Sequence, residues 1–228
     1  MSLEHKLKKV LDKIEVAKRK SSFKQKVELI AATKTREISQ IEKCYSLGIT
    51  SIGENRVQEA EKKFVDFSGF KNLKKRFIGH LQSNKVNKCL DLFDTIDSVD
   101  TLKLANKINI ASLKRAQKTE CLIEINTSAE PQKNGFPPNV SNDLISCFSL
   151  QNLDVVGLMT IGPYTLDEKK IKKSFLSLRD LKEKINKELG ETVVNELSMG
   201  MTNDFELGIE EGSTMIRVGT GLFGDRNY

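Results

Sequence analysis

Lys34 is the residue whose type and position most directly suggest chemistry. It follows an apolar, β-prone run, VELIAAT, at residues 27–33. A lysine that projects from a strand end into a partly dry site loses affinity for its proton, and its neutral amine can form an imine with an aldehyde. Because the chain contains 37 Lys and Arg residues, an ordinary surface lysine remains the open alternative.

Two glycine-rich segments near the C-terminus are candidates for holding an anion. They are SMGMT at residues 198–202 and RVGTG at residues 217–221. Glycines let backbone N–H groups approach a phosphate closely, and the hydroxyls of Ser198 and Thr220 can donate as well. Tight turns without a ligand are the alternative. Neither segment matches a P-loop or a dinucleotide fingerprint, which disfavours ATP and NAD.

His80 is the one histidine outside the opening helix, where His5 lies. A single histidine at a strand end is as often structural as catalytic. We find no second histidine or carboxylate pair that marks a metal site and no Ser-His-Asp spacing. Four widely separated cysteines without a CxxC pair predict neither zinc nor a disulfide framework.

The elements that must position these residues alternate between short apolar runs and longer helix-patterned segments. This alternation indicates parallel strands covered by helices. Eight strands with helices between them most simply close into a (β/α)₈ TIM-type barrel, here with an extra N-terminal helix, in one α/β domain spanning residues 1–228. A doubly wound open sheet is the competing fold. The predicted strands are Val27–Thr33, Thr50–Gly53, Arg76–Gly79, Thr95–Ser98, Glu120–Asn126, Val155–Thr160, Val193–Met199 and Met215–Gly219.

In such a barrel the strand ends share one open rim, where ligands bind. Polar residues and glycines collect at those predicted ends. The rim then carries Lys34, Asn55, His80, Asn126, Thr160, Ser198, Arg217, Gly219 and Thr220, with Met159 and Met199 beside them.

Charge and hydropathy exclude several other classes of function. The formal net charge is +6, but lysines alternate with acidic residues, and aromatics make up only 6% with no Trp to stack bases. We therefore expect no nucleic-acid binding. No signal-peptide-like or membrane-spanning apolar stretch is found, so we expect a soluble, cytoplasmic protein with no membrane partner.

Five segments in the same order resemble the pyridoxal phosphate homeostasis protein family, which is similar to the barrel domain of alanine racemase. They are the segment around Lys34, GENRVQEA (53–60), FIGHLQSNKV (77–86), SMGMTNDFE (198–206) and IRVGTGLFG (216–224). The loop INTSAEPQKNGF (125–136) also resembles the family through Lys133 and Gly135, without a firm role. Arg36 and Arg56 depart from the family pattern, so a second lysine near the cofactor cannot be assumed.

The resemblance implies that pyridoxal 5′-phosphate (PLP) is bound covalently on Lys34 as an internal aldimine. It implies a phosphate site at Ser198, Gly219 and Thr220, with Arg217 facing the pyridine nitrogen. An arginine there keeps the ring nitrogen unprotonated and weakens the ring as an electron sink. Asn55, His80, Asn126, Met159 and Met199 resemble residues of the pocket wall.

The implied function is that of a PLP carrier or regulator in vitamin B6 homeostasis, without robust catalysis. PLP-requiring apo-enzymes are the candidate recipients, and a monomer is expected because the racemase's second, β-rich domain is not seen. The alternative is a PLP-dependent amino-acid racemase. Racemisation needs acid–base groups on both faces of the substrate, and Tyr164 is the tyrosine expected near the rim.

Overall fold

The computed structural model describes residues 1–65 and 69–225. Eight parallel strands form a closed barrel in which each strand pairs with its neighbours in sequence and β8 pairs with β1. The predicted TIM-type barrel with an N-terminal helix is therefore confirmed, and the open sheet is excluded. The strands are β1 (Glu28–Ala32), β2 (Ser51–Glu54), β3 (Lys74–Phe77), β4 (Thr95–Val99), β5 (Thr119–Glu124), β6 (Leu153–Met159), β7 (Glu196–Met201) and β8 (Met215–Val218).

Helices cover the outside of the barrel. They are α1 (Leu3–Lys20), α2 (Ile38–Ser46), α3 (Val57–Lys63), α4 (Val86–Leu92), α5 (Leu102–Leu113), α6 (Asn142–Phe148), α7 (Glu168–Leu189), α8 (Phe205–Glu210) and α9 (Thr220–Phe223), with a 3₁₀ turn at Ser83–Lys85. In α1, buried residues recur every three or four positions, at Leu7, Val10, Ile14 and Ala17. This apolar face packs against α8 and α9.

Most strands are rich in apolar residues because helices cover the outside of the barrel, whereas β3 (KKRF) and β4 (TIDSV) carry polar side chains. Most of the core lies between the barrel and its helices, as with Phe175 of α7 and Leu197 of β7. Towards the amino end of the barrel, the buried Arg76 pairs with Asp97 at 3.1 Å and Glu28 at 3.2 Å. The ion pairs supply partners for a guanidinium that could not be buried alone.

The strand boundaries differ from the predicted ones mainly at β7. The apolar run VVNELSM predicts a strand over residues 193–199, but the observed strand begins at Glu196 and ends at Met201. Val193 and Val194 instead precede the strand. Their N–H groups donate hydrogen bonds to Asn186 Oδ1 of α7. The shift moves the strand end, and therefore the rim, towards Thr202.

Two features bear on domain extent and membrane insertion. Of the domain predicted over residues 1–228, residues 66–68 and 226–228 lie outside the described residues. Within the described part of the chain, no helix combines the length and apolarity needed to cross a bilayer.

Candidate cofactor site

A cavity of about 1200 Å³ opens at the carboxyl ends of the strands. Of the residues predicted to form a site, five line its wall: Lys34 after β1, Asn55 after β2, Arg217 in β8, and Gly219 and Thr220 after β8. These residues come from opposite ends of the chain. They meet because β1 and β8 are hydrogen-bonded neighbours, with Ala31 opposite Val218.

Lys34 lies in the turn between β1 and α2 and is half-buried. Its neighbour Thr33 is fully buried, and Thr35 is exposed with a left-handed φ of 64°. The strand thus ends inside the molecule and the chain turns sharply at the lysine. This turn places Lys34 in the cavity wall.

Arg217 is 5% exposed and is held along one side by backbone and hydroxyl oxygens. Its Nη1 donates to the Ser198 carbonyl at 2.9 Å and to Ser198 Oγ at 2.5 Å, and its Nη2 donates to the Thr160 carbonyl at 2.7 Å. Burial lowers the pKa of Arg217, opposed by the charges of Asp97, Glu124 and Asp204. The guanidinium still keeps its proton at neutral pH, because arginine is not deprotonated in proteins.

Thr202 is a cavity residue that the sequence interpretation missed. Its Oγ1 accepts hydrogen bonds from the N–H groups of Gly219 and Gly221, at 3.3 and 3.2 Å. With both lone pairs engaged, the hydroxyl proton remains available as a donor. The missed signal was the length of β7, since a strand that ends at Met201 puts Thr202 first on the rim.

Three predicted residues, Ser198, Met159 and Met199, do not line the large cavity. Ser198 is fully buried and contacts Arg217. Met199 points the other way and packs between the barrel and its helices. Met159 is buried inside the barrel with Ile30 and Leu122. Alternation along β7 turns Met199 towards the helices, whereas Met159 and Ser198 lie inside the barrel, and none of the three lines the large cavity.

His80 lines a second, smaller cavity of about 230 Å³, which shares Asn55 with the large one. Its Nδ1 lies 2.9 Å from Asp100 Oδ2, and its side chain is 52% exposed. The predicted His80 is thus beside the site and belongs to a carboxylate–imidazole pair. Arg56 lines the same small cavity.

The loop after β5 contributes Lys133 to the large cavity. Asn126 shapes this loop by donating to the carbonyls of Glu130, at 2.9 Å, and Lys133, at 3.3 Å. Lys133 Nζ donates to Glu130 Oε1 and to the Gly162 carbonyl, both at 2.7 Å. Asn126 therefore organises the rim, and Lys133 ties the loop to the segment after β6.

Arg36 and Tyr164 also line the large cavity. Arg36 Nη2 donates to the Gly224 carbonyl at 2.6 Å, which connects the loops after β1 and β8. The Tyr164 side chain is fully exposed at the mouth.

Glu124, the last residue of β5, is 6% exposed. Burial, with a contribution from the charge of Asp100, raises the pKa of Glu124 to about 7, while Arg217 and His80 oppose the rise. A carboxyl with this pKa titrates in the physiological range.

The chain matches the family model described as "Alanine racemase, N-terminal domain" over residues 6–227. It is 36% identical over 230 residues to the pyridoxal phosphate homeostasis protein of Aquifex aeolicus, with 100% of both chains covered. The chain belongs to the pyridoxal phosphate homeostasis protein family. The predicted family resemblance is thereby confirmed.

Solved structures agree with this family assignment. PipY of Synechococcus elongatus without PLP matches with a TM-score of 0.87 and 30% identity, and covers 98% of this chain and 100% of its own. The same protein with PLP bound gives a TM-score of 0.84. Alanine racemase of Clostridium difficile, at 16% identity and a TM-score of 0.74, is covered over 56% of its length and shares the fold.

The residues of the large cavity fit PLP chemically. The wall offers an amine at Lys34, a guanidinium at Arg217, and hydroxyls at Thr202 and Thr220. At Gly219 an added Cβ would stand 3.5 Å from Ala32, itself a lining residue, so the bare backbone leaves that part of the wall open. An aldehyde, an aromatic ring and a phosphate would each find a suitable partner.

Proposed function

We propose that this protein binds PLP in the large cavity and acts in cytoplasmic vitamin B6 homeostasis, as a carrier or regulator without robust catalysis. The observation that carries the proposal is the convergence of Lys34, Arg217, Gly219 and Thr220 on one cavity. The structure of PipY with PLP bound and the names of the curated relatives support it.

Lys34 is the proposed attachment point. Its neutral amine adds to the PLP aldehyde carbon, water leaves, and a Schiff base remains, so that no other reactant is consumed.

Arg217 is proposed to face the pyridine nitrogen. The oxygens of Ser198 and Thr160 fix its guanidinium, and a donor that cannot lose its proton leaves the ring nitrogen unprotonated. PLP supplies an electron sink to enzymes that use it, and an unprotonated ring weakens that sink. This role favours holding the cofactor over racemisation.

The phosphate is proposed to bind after β7 and β8, at Gly219, Thr220 and Thr202. Ser198, expected in this role from the sequence, is proposed instead to position Arg217 through its hydroxyl. Asn55 and His80 are proposed to close the pocket on the side of β2 and β3, whereas Met159 and Met199 support it from within the core.

In this proposal the protein is a monomer that transfers PLP to apo-enzymes. The alternative, an amino-acid racemase, is supported only by the fold that this chain shares with alanine racemase. Purified holo-protein should therefore exchange no Cα proton of alanine for deuterium at a catalytic rate.

Absorbance spectroscopy and borohydride reduction test the attachment. The PLP-loaded protein should show a Schiff-base band, and reduction should fix a phosphopyridoxyl mass on the peptide that contains Lys34. Lys34→Ala should lose the band and keep weaker, non-covalent binding. Lys172→Ala, a change at another lysine of the cavity wall, should keep the band. Labelling of another lysine in the wild-type protein would refute the proposal.

A further inference from the structure

Lys63 is a partly buried cation whose hydrogen bonds lead to the turn at Lys34. It lies at the end of α3, and its side chain is 12% exposed. Its Nζ donates to the Thr33 carbonyl at 2.8 Å, to Glu54 Oε1 at 2.9 Å and to Glu59 Oε1 at 2.6 Å. An ammonium group has three donors, so all three are engaged and its position is fixed.

The two carboxylates extend these contacts to both sides of Lys34. Glu54 Oε1 also accepts from the Thr33 hydroxyl at 2.7 Å. Glu59 Oε1 also accepts from the N–H of Thr35. The residue before Lys34 and the residue after it are therefore both held by groups that Lys63 joins.

The turn needs such support, because the φ of Thr35 is 64°. A β-branched residue rarely adopts this left-handed conformation, and it persists only where the surroundings enforce it. On the C-terminal side of Lys34, the hydrogen bond from the Thr35 N–H to Glu59 Oε1 holds this conformation. On the N-terminal side the restraint is Thr33, through both its carbonyl and its hydroxyl.

One carboxylate oxygen of this network, Glu54 Oε2, is buried without a hydrogen-bond partner in the described structure. The whole Glu54 side chain is fully buried. Burial raises the pKa of Glu54, and Lys63 opposes that rise. Keeping the Glu54 carboxylate at this buried position costs desolvation energy. An ion pair on the protein surface would not have this cost.

We propose that Lys63 is a positioning residue: through Glu54 and Glu59 it fixes the turn that presents the Lys34 amine to the PLP aldehyde. The inference rests on the proposed function, in which Lys34 is the attachment point. Lys63 itself does not line the large cavity, so we expect its effect to reach PLP through the turn at Lys34.

Two variants weaken the network at different points. Lys63→Met removes the shared cation and keeps the length of the side chain. Glu59→Ala removes the acceptor of the Thr35 N–H at a site whose side chain is 24% exposed, where the fold tolerates change better. Lys62→Met, at the exposed neighbouring position of α3, is the matched control.

Binding is measured with two ligands, PLP and pyridoxine 5′-phosphate, which has no aldehyde. Because small misplacements of reacting groups cost one to two powers of ten in rate, we expect both variants to form the Schiff base at least about tenfold more slowly. Their PLP dissociation constants should rise, and the pH profile of the Schiff-base band should shift. The dissociation constant for pyridoxine 5′-phosphate should stay within about twofold of wild type, and Lys62→Met should match wild type throughout.

Three outcomes would overturn the inference. In one, both network variants form the Schiff base at the wild-type rate and with the wild-type pH profile. In another, both ligands lose affinity equally, which assigns Lys63 to the fold alone. In the third, Lys62→Met has the same effect as Lys63→Met. If wild-type protein is not labelled at Lys34, the proposed function fails first, and the two failures are thereby distinguished.

Discussion

Replacing Glu124 by glutamine should change how the stability of the apo-protein depends on pH. Glu124 is 6% exposed, and its pKa in the folded protein is about 7, compared with 4.5 for an unperturbed glutamate. The raised pKa comes mainly from burial, with Asp100 adding to it and Arg217 and His80 opposing it. Between these two pH values the folded protein holds a proton that the unfolded chain releases.

The sign and the size of the effect follow from proton linkage. The unfolding free energy falls with rising pH wherever the folded state binds more protons. A tenfold change in proton affinity is worth about 1.4 kcal/mol, so Glu124 alone should cost the wild-type protein about 3 kcal/mol between pH 4 and pH 8. Glutamine does not titrate and therefore removes this loss.

Urea unfolding followed by circular dichroism at pH values from 4 to 8 measures the difference. The stability of Glu124→Gln relative to wild type should increase by about 3 kcal/mol as pH rises through this window. Other buried carboxyls, such as Asp97 and Asp204, titrate in both proteins and cancel. Glu183→Gln, at an exposed site of α7, should run parallel to wild type. Parallel curves for Glu124→Gln, or a gap that widens towards acid pH, would refute the assignment of a neutral Glu124.

Two further substitutions test the phosphate site and the barrel. Thr202→Val keeps the shape of the side chain but removes the hydroxyl that we propose binds the phosphate. A hydrogen bond to a charged group is worth about 1.5–3 kcal/mol. We therefore expect the PLP dissociation constant, measured by absorbance titration, to rise by roughly tenfold or more. Unchanged affinity would place the phosphate elsewhere. Gly157→Ala would put a Cβ against the Glu196 carbonyl and 2.6 Å from the Glu196 Cβ, so we expect a loss of about 2–3 kcal/mol and a Tm lower by roughly 5–10 °C in a thermal melt. Gly69→Ala, where an added Cβ meets nothing within 4 Å, should melt like wild type.

The barrel could be predicted from the sequence because its signal is repeated. Most strands are short apolar runs between helix-patterned segments, and an error of two or three residues at one boundary leaves the count of eight unchanged. A boundary error of the same size changes which side chains are expected at the rim. At β7 the predicted end at Met199 drew attention to Ser198, which contacts Arg217 inside the barrel, and away from Thr202, which lines the cavity.

No sequence pattern identifies residues that act through other residues. Lys63 is one of many lysines on helices, and nothing in its local sequence shows that α3 turns it inward to Thr33. The raised pKa of Glu124 depends on burial and on charges from other strands. Such effects are set by three-dimensional proximity, which periodicity and motif spacing do not encode.

Closure of the barrel is what makes the site possible. Lys34 follows β1 and Thr220 follows β8, and these strands are adjacent only because the last strand returns to pair with the first. Arg217 then ties this seam to β6 and β7, through the Thr160 and Ser198 carbonyls. The groups that we propose for attachment, for contact with the ring and for phosphate binding are thus held relative to one another by hydrogen bonds across the seam. A cofactor that bridges these groups should stabilise the seam in return, because a ligand that binds only the folded state shifts the equilibrium towards it.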